Sequence, residues 1–305
     1  MDIGVSLRSG YAPMDARLGA RWMVERARAA ADAGLDSLFV GDHHNVPVPY
    51  YQNVAILGRL LAEWDDRPAG ALFLLPLWHP VLLAEQIGTL AAIAQGPFIM
   101  QCAVGGGDEQ FRVFDTTLRE RATRFEAALD IVRALCRGES VTVTDGPWKI
   151  DRAQIAPIPS DPVEVWIGGA SARAVDRAAR MGDAFLIGPE ATPTEVESLV
   201  ASYRDACARH GRAPTRIGVR RDIHVAATDQ GAAAVADPIL DRGYRGFDPS
   251  AVVVGGPARV AAAFAALGDA GCTDVIVRHL ADDQEPVLRS FEQLAKVRET
   301  LKSGA

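Results

Sequence analysis

The most apolar stretch of the chain, AGALFLLPLWHPVLLAEQIGTLAAIA at residues 69–94, decides between a membrane span and a strand followed by a helix. Two prolines, a histidine, Glu85 and Gln86 interrupt it, which is hard to reconcile with a helix that crosses a bilayer. A buried strand over Ala69–Leu75 and a helix over Val81–Ala94 account for the pattern instead. The sequence therefore predicts an α/β protein with no membrane partner.

The same strand-then-helix pattern recurs along the chain. Eight short apolar runs predict strands at Ile3–Leu7, Ser37–Gly41, Ala69–Leu75, Phe98–Val104, Val163–Ile167, Ala184–Ile187, Ile217–Ala226 and Asp274–Val277. Runs of helical period predict helices at Arg21–Ala33, Tyr51–Trp64, Val81–Ala94, Leu118–Cys136, Ala172–Met181, Pro257–Ala270 and Glu285–Leu301, and after the capping box Thr192–Glu195. This alternation predicts a (β/α)₈ TIM barrel. A doubly wound sheet is the alternative, but residues 6–10 lack its Gly-x-Gly-x-x-Gly turn.

Two segments exceed a minimal barrel, which we predict to be a single domain over residues 1–305. Val141–Ile150 indicates a small hairpin around Asp145-Gly146. Asp229–Val254 is long and carries Gly243, Gly246 and Pro249, so we interpret it as a lid or an extra subdomain.

Composition excludes several classes of protein. The chain has 305 residues, a net charge of −7, 49% apolar and 23% charged residues, which is typical of a globular protein and not of a disordered one. No basic face that would bind nucleic acid is visible. Four cysteines lie far apart, which is neither metal-finger spacing nor a disulfide framework. With no signal peptide at Met1–Val5, these thiols indicate a cytoplasmic protein, and no metal site is expected.

Catalytic residues of such a barrel lie at the carboxyl ends of its strands. The second strand ends in Asp42-His43-His44, a carboxylate beside two imidazoles that suits proton transfer, although a polar loop is the plainer interpretation. The fourth strand ends in Gly105-Gly106-Gly107-Asp108, where a ligand can approach the backbone closely. The fifth leads through Gly168-Gly169-Ala170-Ser171-Ala172-Arg173 into a helix, which indicates either an anion site or simply a capped helix.

Together these segments resemble the bacterial luciferase-like monooxygenase family, which includes coenzyme F420-dependent dehydrogenases and reductases. The matching stretches are Ala33–His44, Leu74–Val81, Val104–Phe111, Pro162–Ser171, Gly182-Asp183 and Val254–Pro257. The resemblance implies a TIM barrel that binds reduced FMN or F420 at the strand mouths, most often as a homodimer, and acts on a small molecule. Between the two cofactors we favour F420, whose acidic tail would suit Arg173, Arg220 and Arg221.

The resemblance also implies roles for individual residues. It makes His43 catalytic and Asp108 a second acid or base. Leu72-Phe73 matches the place behind the cofactor ring where the family often carries a non-prolyl cis peptide, and whether this bond is cis is left open. The remaining cofactor contacts that it implies are Asp42, Leu75, Gly105, Gly106, Gly107, Gly168, Gly169, Ala170, Ser171 and Arg173. Trp78, Tyr50, Tyr51 and Phe73 are expected to line an apolar pocket for a hydrophobic or aromatic substrate.

Two departures from the family pattern limit these expectations. Val104 stands where luciferase has an arginine, so the anchoring of a phosphate must depend on Gly168–Arg173. The tryptophan that follows the Asp-His pair in the sugar-phosphate dehydrogenases is absent, so no sugar-phosphate activity is assigned. The alternatives to a redox enzyme are a non-catalytic flavin-binding protein on the same scaffold, or a cofactor-free lyase that uses Asp42 and His43.

Overall fold

The computed structural model describes residues 1–11 and 14–303. Its strands are β1 (Asp2–Leu7), β2 (Ser37–Val40), β3 (Ala69–Leu74), β4 (Phe98–Ala103), β5 (Val141–Val143), β6 (Ile150–Ala153), β7 (Glu164–Gly168), β8 (Ala184–Ile187), β9 (Arg216–Val225), β10 (Val253–Gly255) and β11 (Asp274–His279). Its helices are α1 (Ala16–Asp32), α2 (Asn53–Leu60), α3 (Pro80–Ile93), α4 (Asp108–Val113), α5 (Arg121–Cys136), α6 (Ala172–Met181), α7 (Pro193–Arg209), α8 (Asp229–Leu240), α9 (Pro257–Asp269) and α10 (Gln284–Ser303).

Eight parallel strands form a closed barrel in the order β1-β2-β3-β4-β7-β8-β9-β11, with β11 paired to β1. The predicted (β/α)₈ barrel is therefore confirmed, and all eight predicted strands are barrel strands. They come from both ends of the chain, which supports the single domain proposed for residues 1–305. The order places β3, β4 and β7 across the barrel from β9, β11 and β1.

The interior of the barrel is filled by side chains from alternate positions of its strands. Phe39, Ile99, Trp166, Ala184 and Ile276 form this inner cluster, and they close the barrel below its carboxyl-terminal mouth. Gly218 makes room for the indole of Trp166, because a Cβ there would lie 2.9 Å from Cζ3. Outward-facing residues of the same strands pack against the helices in a larger core.

Local signals fix several helix starts. The predicted capping box is present, since the Thr192 side chain accepts from the Glu195 amide and Glu195 accepts from that of Thr192. The predicted helix at Arg21–Ala33 begins earlier, at Ala16, because the carboxylate of Asp15 caps it. The predicted helix Tyr51–Trp64 is shorter, since it is α2 followed by a 3₁₀ turn at Leu61–Glu63.

The two predicted insertions have different structures. The hairpin is β5 and β6, paired antiparallel. The late insertion consists of α8, 3₁₀ turns at Tyr244–Gly246 and Pro249–Ala251, and β10. Strand β9 pairs with β8 through Arg216–Val219 and with β10 through Ile223–Val225, nearer its carboxyl-terminal end. The insertion thus leaves the barrel at one end of β9 and returns to the same strand.

Candidate active site

A cavity of about 610 Å³ opens at the carboxyl-terminal mouth of the barrel, and each of the eight strands, or the loop after it, contributes a lining residue. Its volume is in the range of small-molecule and cofactor sites, about 300–1,000 Å³. The predicted site residues that line it are Asp42, His43, Leu72, Gly168 and Gly169. The active sites of TIM-barrel enzymes lie at this same end of the barrel.

Asp42 ties the end of β2 to the end of β3. Its buried carboxylate accepts two hydrogen bonds at Oδ2, from the Leu74 amide and from the Trp78 indole, both at 2.8 Å. The other oxygen, Oδ1, lies 3.1 Å from Nε2 of His44 without the geometry of a hydrogen bond. The neighbouring imidazole that Asp42 approaches is therefore His44, whereas the sequence suggested a pair with His43.

His43 faces the cavity beside Tyr50, with 6.0 Å between the two ring centroids. Partial burial lowers the pKa of His43, although the nearby Asp42 carboxylate acts in the opposite direction. Burial, and then the charge of Asp42, raises the pKa of Tyr50 to about 12. Near neutral pH the imidazole of His43 is therefore mostly neutral and can accept a proton, whereas the phenol of Tyr50 stays protonated.

The β3–β4–β7 side of the cavity is largely apolar and carries one buried amide. Leu72 points into the barrel and Gln101 lies opposite it in the register of β3 and β4. Gln101 is 5% exposed, and its Nε2 has no hydrogen-bond partner among the described residues. A buried amide N–H₂ without a partner is costly, so this donor points to a ligand acceptor in the cavity.

The peptide between Leu72 and Phe73 is trans, unlike the cis bond that the family often carries at this place. The ladder between β3 and β4 continues without a shift through both residues, so regular extended backbone accommodates them. Side chains alternate along a strand, and Phe73 therefore points outward into the core between barrel and helices. It does not line the cavity, and neither does Leu75, which is fully buried in the turn after β3.

The glycine loop after β4 lies at the rim. Gly106 and Gly107 are exposed, and a Cβ at either position would meet no atom within 4 Å, so a ligand can reach this backbone. Asp108 begins α4 and lines a separate depression with Phe111 and Arg112. The structure therefore does not bring Asp108 together with His43 in the cavity.

The turn after β7 is built as the sequence suggested, although only its start lines the cavity. Gly169 has φ +154°, and a Cβ there would lie 2.5 Å from that of Ala174, so this close turn requires glycine. The hydroxyl of Ser171 accepts from the Ala174 amide and caps α6. Ala170, Ser171 and Arg173 are exposed at the rim, beside the positive end of the α6 dipole.

The opposite side of the cavity is strongly basic, a feature that sequence reasoning missed in large part. We call it the arginine face, and its members are Arg8 after β1, Arg220 on β9, Arg278 on β11 and Arg245 on the insertion. Asp222, which is fully buried, joins two of them. Its Oδ1 accepts from Arg220 at 3.0 Å, and its Oδ2 accepts from Arg245 at 2.9 Å and from the Tyr244 hydroxyl at 2.8 Å.

The charges on this face shift its ionisable groups. Burial alone would raise the pKa of Asp222, but Arg220, Arg278 and Arg245 outweigh it and hold that pKa below its ordinary value. Arg221, the neighbour of Arg220, points to the other side of β9 and is 1% exposed. Of the arginines expected to serve a cofactor tail, only Arg220 therefore lines the cavity.

The expected apolar pocket is only partly present. Tyr50 lines the cavity, but Tyr51 donates to the Ala16 carbonyl and packs on Tyr11. Trp78 packs edge-on against Phe73 behind Asp42.

Among residues 1–11 and 14–303 no cluster of three or more His, Cys, Asp or Glu side chains could hold a metal ion. No helix in the same residues has the length and apolar character that crossing a membrane requires.

Comparison with protein families finds a match to the model described as luciferase-like monooxygenase over residues 1–266. Among curated proteins, the chain is 26% identical over 220 residues to F420-dependent glucose-6-phosphate dehydrogenase of Nakamurella multipartita, covering 68% of this chain and 63% of that protein. It is 27% identical over 210 residues to FMNH₂-dependent dimethylsulfone monooxygenase of Pseudomonas fluorescens, covering 66% and 55%. These matches span less than two thirds of either relative.

Among solved structures, the fold is similar to that of monooxygenase RslO1 from Streptomyces bottropensis. The TM-score is 0.88 at 20% sequence identity, and the match covers 100% of both chains. At this identity the likeness concerns the fold, and it agrees with the closed barrel described above.

Proposed function

Because the chain belongs to the luciferase-like monooxygenase family, we propose that it is an oxidoreductase that uses F420 or reduced FMN on a small organic substrate. The observation that carries the proposal is the cavity at the barrel mouth, where the buried amide of Gln101 has no described partner. Relatives named for F420 and for FMNH₂ support both cofactors.

The β3–β4–β7 side suits the cofactor. Leu72 and Ala103 offer apolar surface, and Gln101 can donate to a ring carbonyl. The turn that begins at Gly168 and Gly169 leads to the amino-terminal end of α6, where backbone N–H groups and Arg173 would bind an anionic tail. The open backbone of Gly106 and Gly107 would border the same ligand.

When bound, such a cofactor supplies hydride transfer or activation of O₂. We propose that a ring nitrogen of His43 accepts or returns the proton that accompanies this chemistry, since burial keeps its pKa low and the ring faces the cavity. Asp42 holds the end of β2, and thereby His43, through its bonds to Leu74 and Trp78. Asp108 is not assigned a role in proton transfer, because it faces a separate depression.

The first test compares the two cofactors. Binding of either F420 or FMN raises the melting temperature by mass action, and quenching of cofactor fluorescence gives the affinity. A protein that bound neither would contradict the proposal. No described feature favours the non-catalytic alternative or the lyase, and steady consumption of a reduced cofactor with any acceptor would exclude both.

The role of His43 is tested by His43→Ala, with His79→Ala as the control. His79 is an exposed residue before α3, outside the cavity. Loss of a general acid or base lowers turnover by about 10²–10⁴-fold, and we expect a decrease in this range with cofactor affinity changed little. Equal turnover in both variants would remove His43 from the mechanism.

We also propose a homodimer that works in the cytoplasm. Leu82 and Ile93 on α3 are 56% and 49% exposed, and their spacing of eleven residues places them on one face of the helix. Such a face supports α3 as part of the contact with a second copy. The four free cysteines support a reducing compartment.

A further inference from the structure

The arginine face carries more positive charge than its own carboxylates balance. Its four guanidinium groups have two acidic partners, Asp222 between Arg220 and Arg245, and Asp282 beside Arg8. Two further carboxylates line the cavity, Asp42 and Glu190, but neither forms an ion pair with these arginines in the described part of the chain. Three of these arginines are half-buried and Arg245 is exposed; a surplus of positive charge on such a face repels itself and is stabilised by an anion.

Arg278 is the member of the face with an unmet hydrogen-bonding requirement. Its Nε is buried without a hydrogen-bond partner among residues 1–11 and 14–303, and its guanidinium forms no ion pair with those residues. Burial, together with the charges of Arg220 and Arg245, lowers the pKa of Arg278 to about 10. A guanidinium that keeps its charge at such a site is a strong binder of carboxylate or phosphate, which it contacts through two parallel N–H donors.

The arginine face lies across the cavity from the surface that suits the cofactor. In the closed order of strands, β11 is opposite β4, which carries Gln101, and β1 is opposite β7, which carries Gly168. Between the two sides lies apolar surface from Tyr50, Leu186 and Ile276. A ligand that bridges from this surface to Arg278 therefore has an anionic end and an apolar body.

We propose that the arginine face binds the carboxylate or phosphate of the organic substrate, and that Arg278 is the residue that selects for it. The proposal rests on the proposed function, because it assigns the opposite side of the cavity to the cofactor. It replaces the expectation of a purely apolar substrate. Arg245 and Tyr244 come from the insertion, so the insertion contributes to this selection and Asp222 positions both residues.

The test compares two anionic probes with a neutral probe that has nearly the shape of one of them. Benzoate and phenyl phosphate carry an anion on an apolar ring, and benzamide is the neutral counterpart of benzoate. Binding is measured on the full chain without cofactor, by thermal shift and by isothermal titration at constant ionic strength. We expect the two anions to bind and benzamide to bind at least about tenfold more weakly, since a charge-assisted bond is lost.

Arg278→Met is the decisive variant, with Arg173→Met as the control at the rim of the opposite side. We expect Arg278→Met to bind both anions about tenfold or more weakly and to bind F420 or FMN as the wild type does. It should melt no lower than the wild type, because the variant removes a half-buried cation whose Nε has no described partner. Arg173→Met should leave the binding of benzoate unchanged. Should Arg278→Met fail to fold, Arg245→Gln on the half-exposed loop replaces it.

Three results would overturn the proposal. Wild-type protein that binds neither anion, or binds benzamide equally well, excludes an anion site. Unchanged anion affinity in Arg278→Met excludes that residue. Loss of F420 or FMN binding in Arg278→Met would assign the face to the anionic group of the cofactor itself. Failure of the proposed function is a separate result, since wild-type protein would then bind the anions but neither cofactor.

Discussion

Replacing Asp42 by alanine removes the acceptor of two hydrogen bonds that join β2 to β3. The Leu74 amide is buried, and a buried donor left without a partner costs about 1–3 kcal/mol. The Trp78 indole is only partly buried, so water compensates in part and the loss there is about 1 kcal/mol. We therefore expect the free energy of unfolding to fall by about 3 kcal/mol.

This loss converts into a shift in melting temperature. The entropy of unfolding is about 2.1 cal/mol/K per residue, which for 305 residues is roughly 0.6 kcal/mol per degree. Asp42→Ala should then melt about 5 °C below the wild type. Asp42→Asn is the matched control, because its amide oxygen can still accept both bonds, and it should lose about 1 kcal/mol.

The assay is thermal unfolding followed by circular dichroism, with urea unfolding as a second measure of stability. Equal melting temperatures for wild type and Asp42→Ala would refute the reasoning, since the two bonds would then contribute nothing. A larger loss in Asp42→Asn than in Asp42→Ala would also refute it. That order would mean that packing, and not the supply of an acceptor, decides the effect at this position.

Two further predictions concern the stability of the protein at acid pH and its oligomeric state. Asp222 has a folded-state pKa below its ordinary value of 3.8, so its contribution to stability is present above that value and is lost as the pH falls through the folded-state pKa. Asp222→Asn should therefore flatten the fall in urea midpoint below about pH 4, and an unchanged slope would contradict this. Leu82→Glu on the exposed face of α3 should convert a dimer into monomers in size-exclusion chromatography with light scattering, with the half-buried Glu85→Gln as the control. A monomeric wild type would end the dimer proposal.

The barrel was predictable because its strands have an unusual composition. Runs such as Ala69–Leu75 are apolar at every position, which is typical of strands buried on both faces, and helical periods separate them. The strand β10 was missed because three residues, Val253–Gly255, are too few for a pattern. The start of α1 was missed because its first turn lacks an apolar stripe and its signal is the single cap Asp15.

The candidate site was less predictable, for reasons of side-chain direction. Successive side chains of a strand point to opposite faces. Leu72 and Arg220 therefore face the cavity, whereas their neighbours Phe73 and Arg221 point away from it. Gln101 and Arg278 did leave a signal, since Gln101 interrupts an otherwise apolar strand and Arg278 follows the apolar run Val275–Val277. A long polar side chain in a buried strand therefore indicates a ligand site.

Other parts of the site depend on distance along the chain. Arg245 and Tyr244 reach the cavity from a segment that begins about twenty residues after Asp222, and no local pattern predicts where so long a connection returns. Asp108 was expected in the cavity from its place after the glycines, but it starts α4 and turns toward Phe111.

The pairing of β9 with both β8 and β10 has a consequence for the segment that joins β9 to β10. Segment 226–252 starts directly after the last residue of β9 and ends where β10 pairs with that same strand, so its two ends are anchored side by side. Changes of length in its mostly exposed part, residues 241–250, should therefore leave the eight-stranded barrel intact. We infer that substitutions in this segment alter the part of the cavity formed by Tyr244 and Arg245 and leave the proposed cofactor side, with Gln101 and Gly168, untouched.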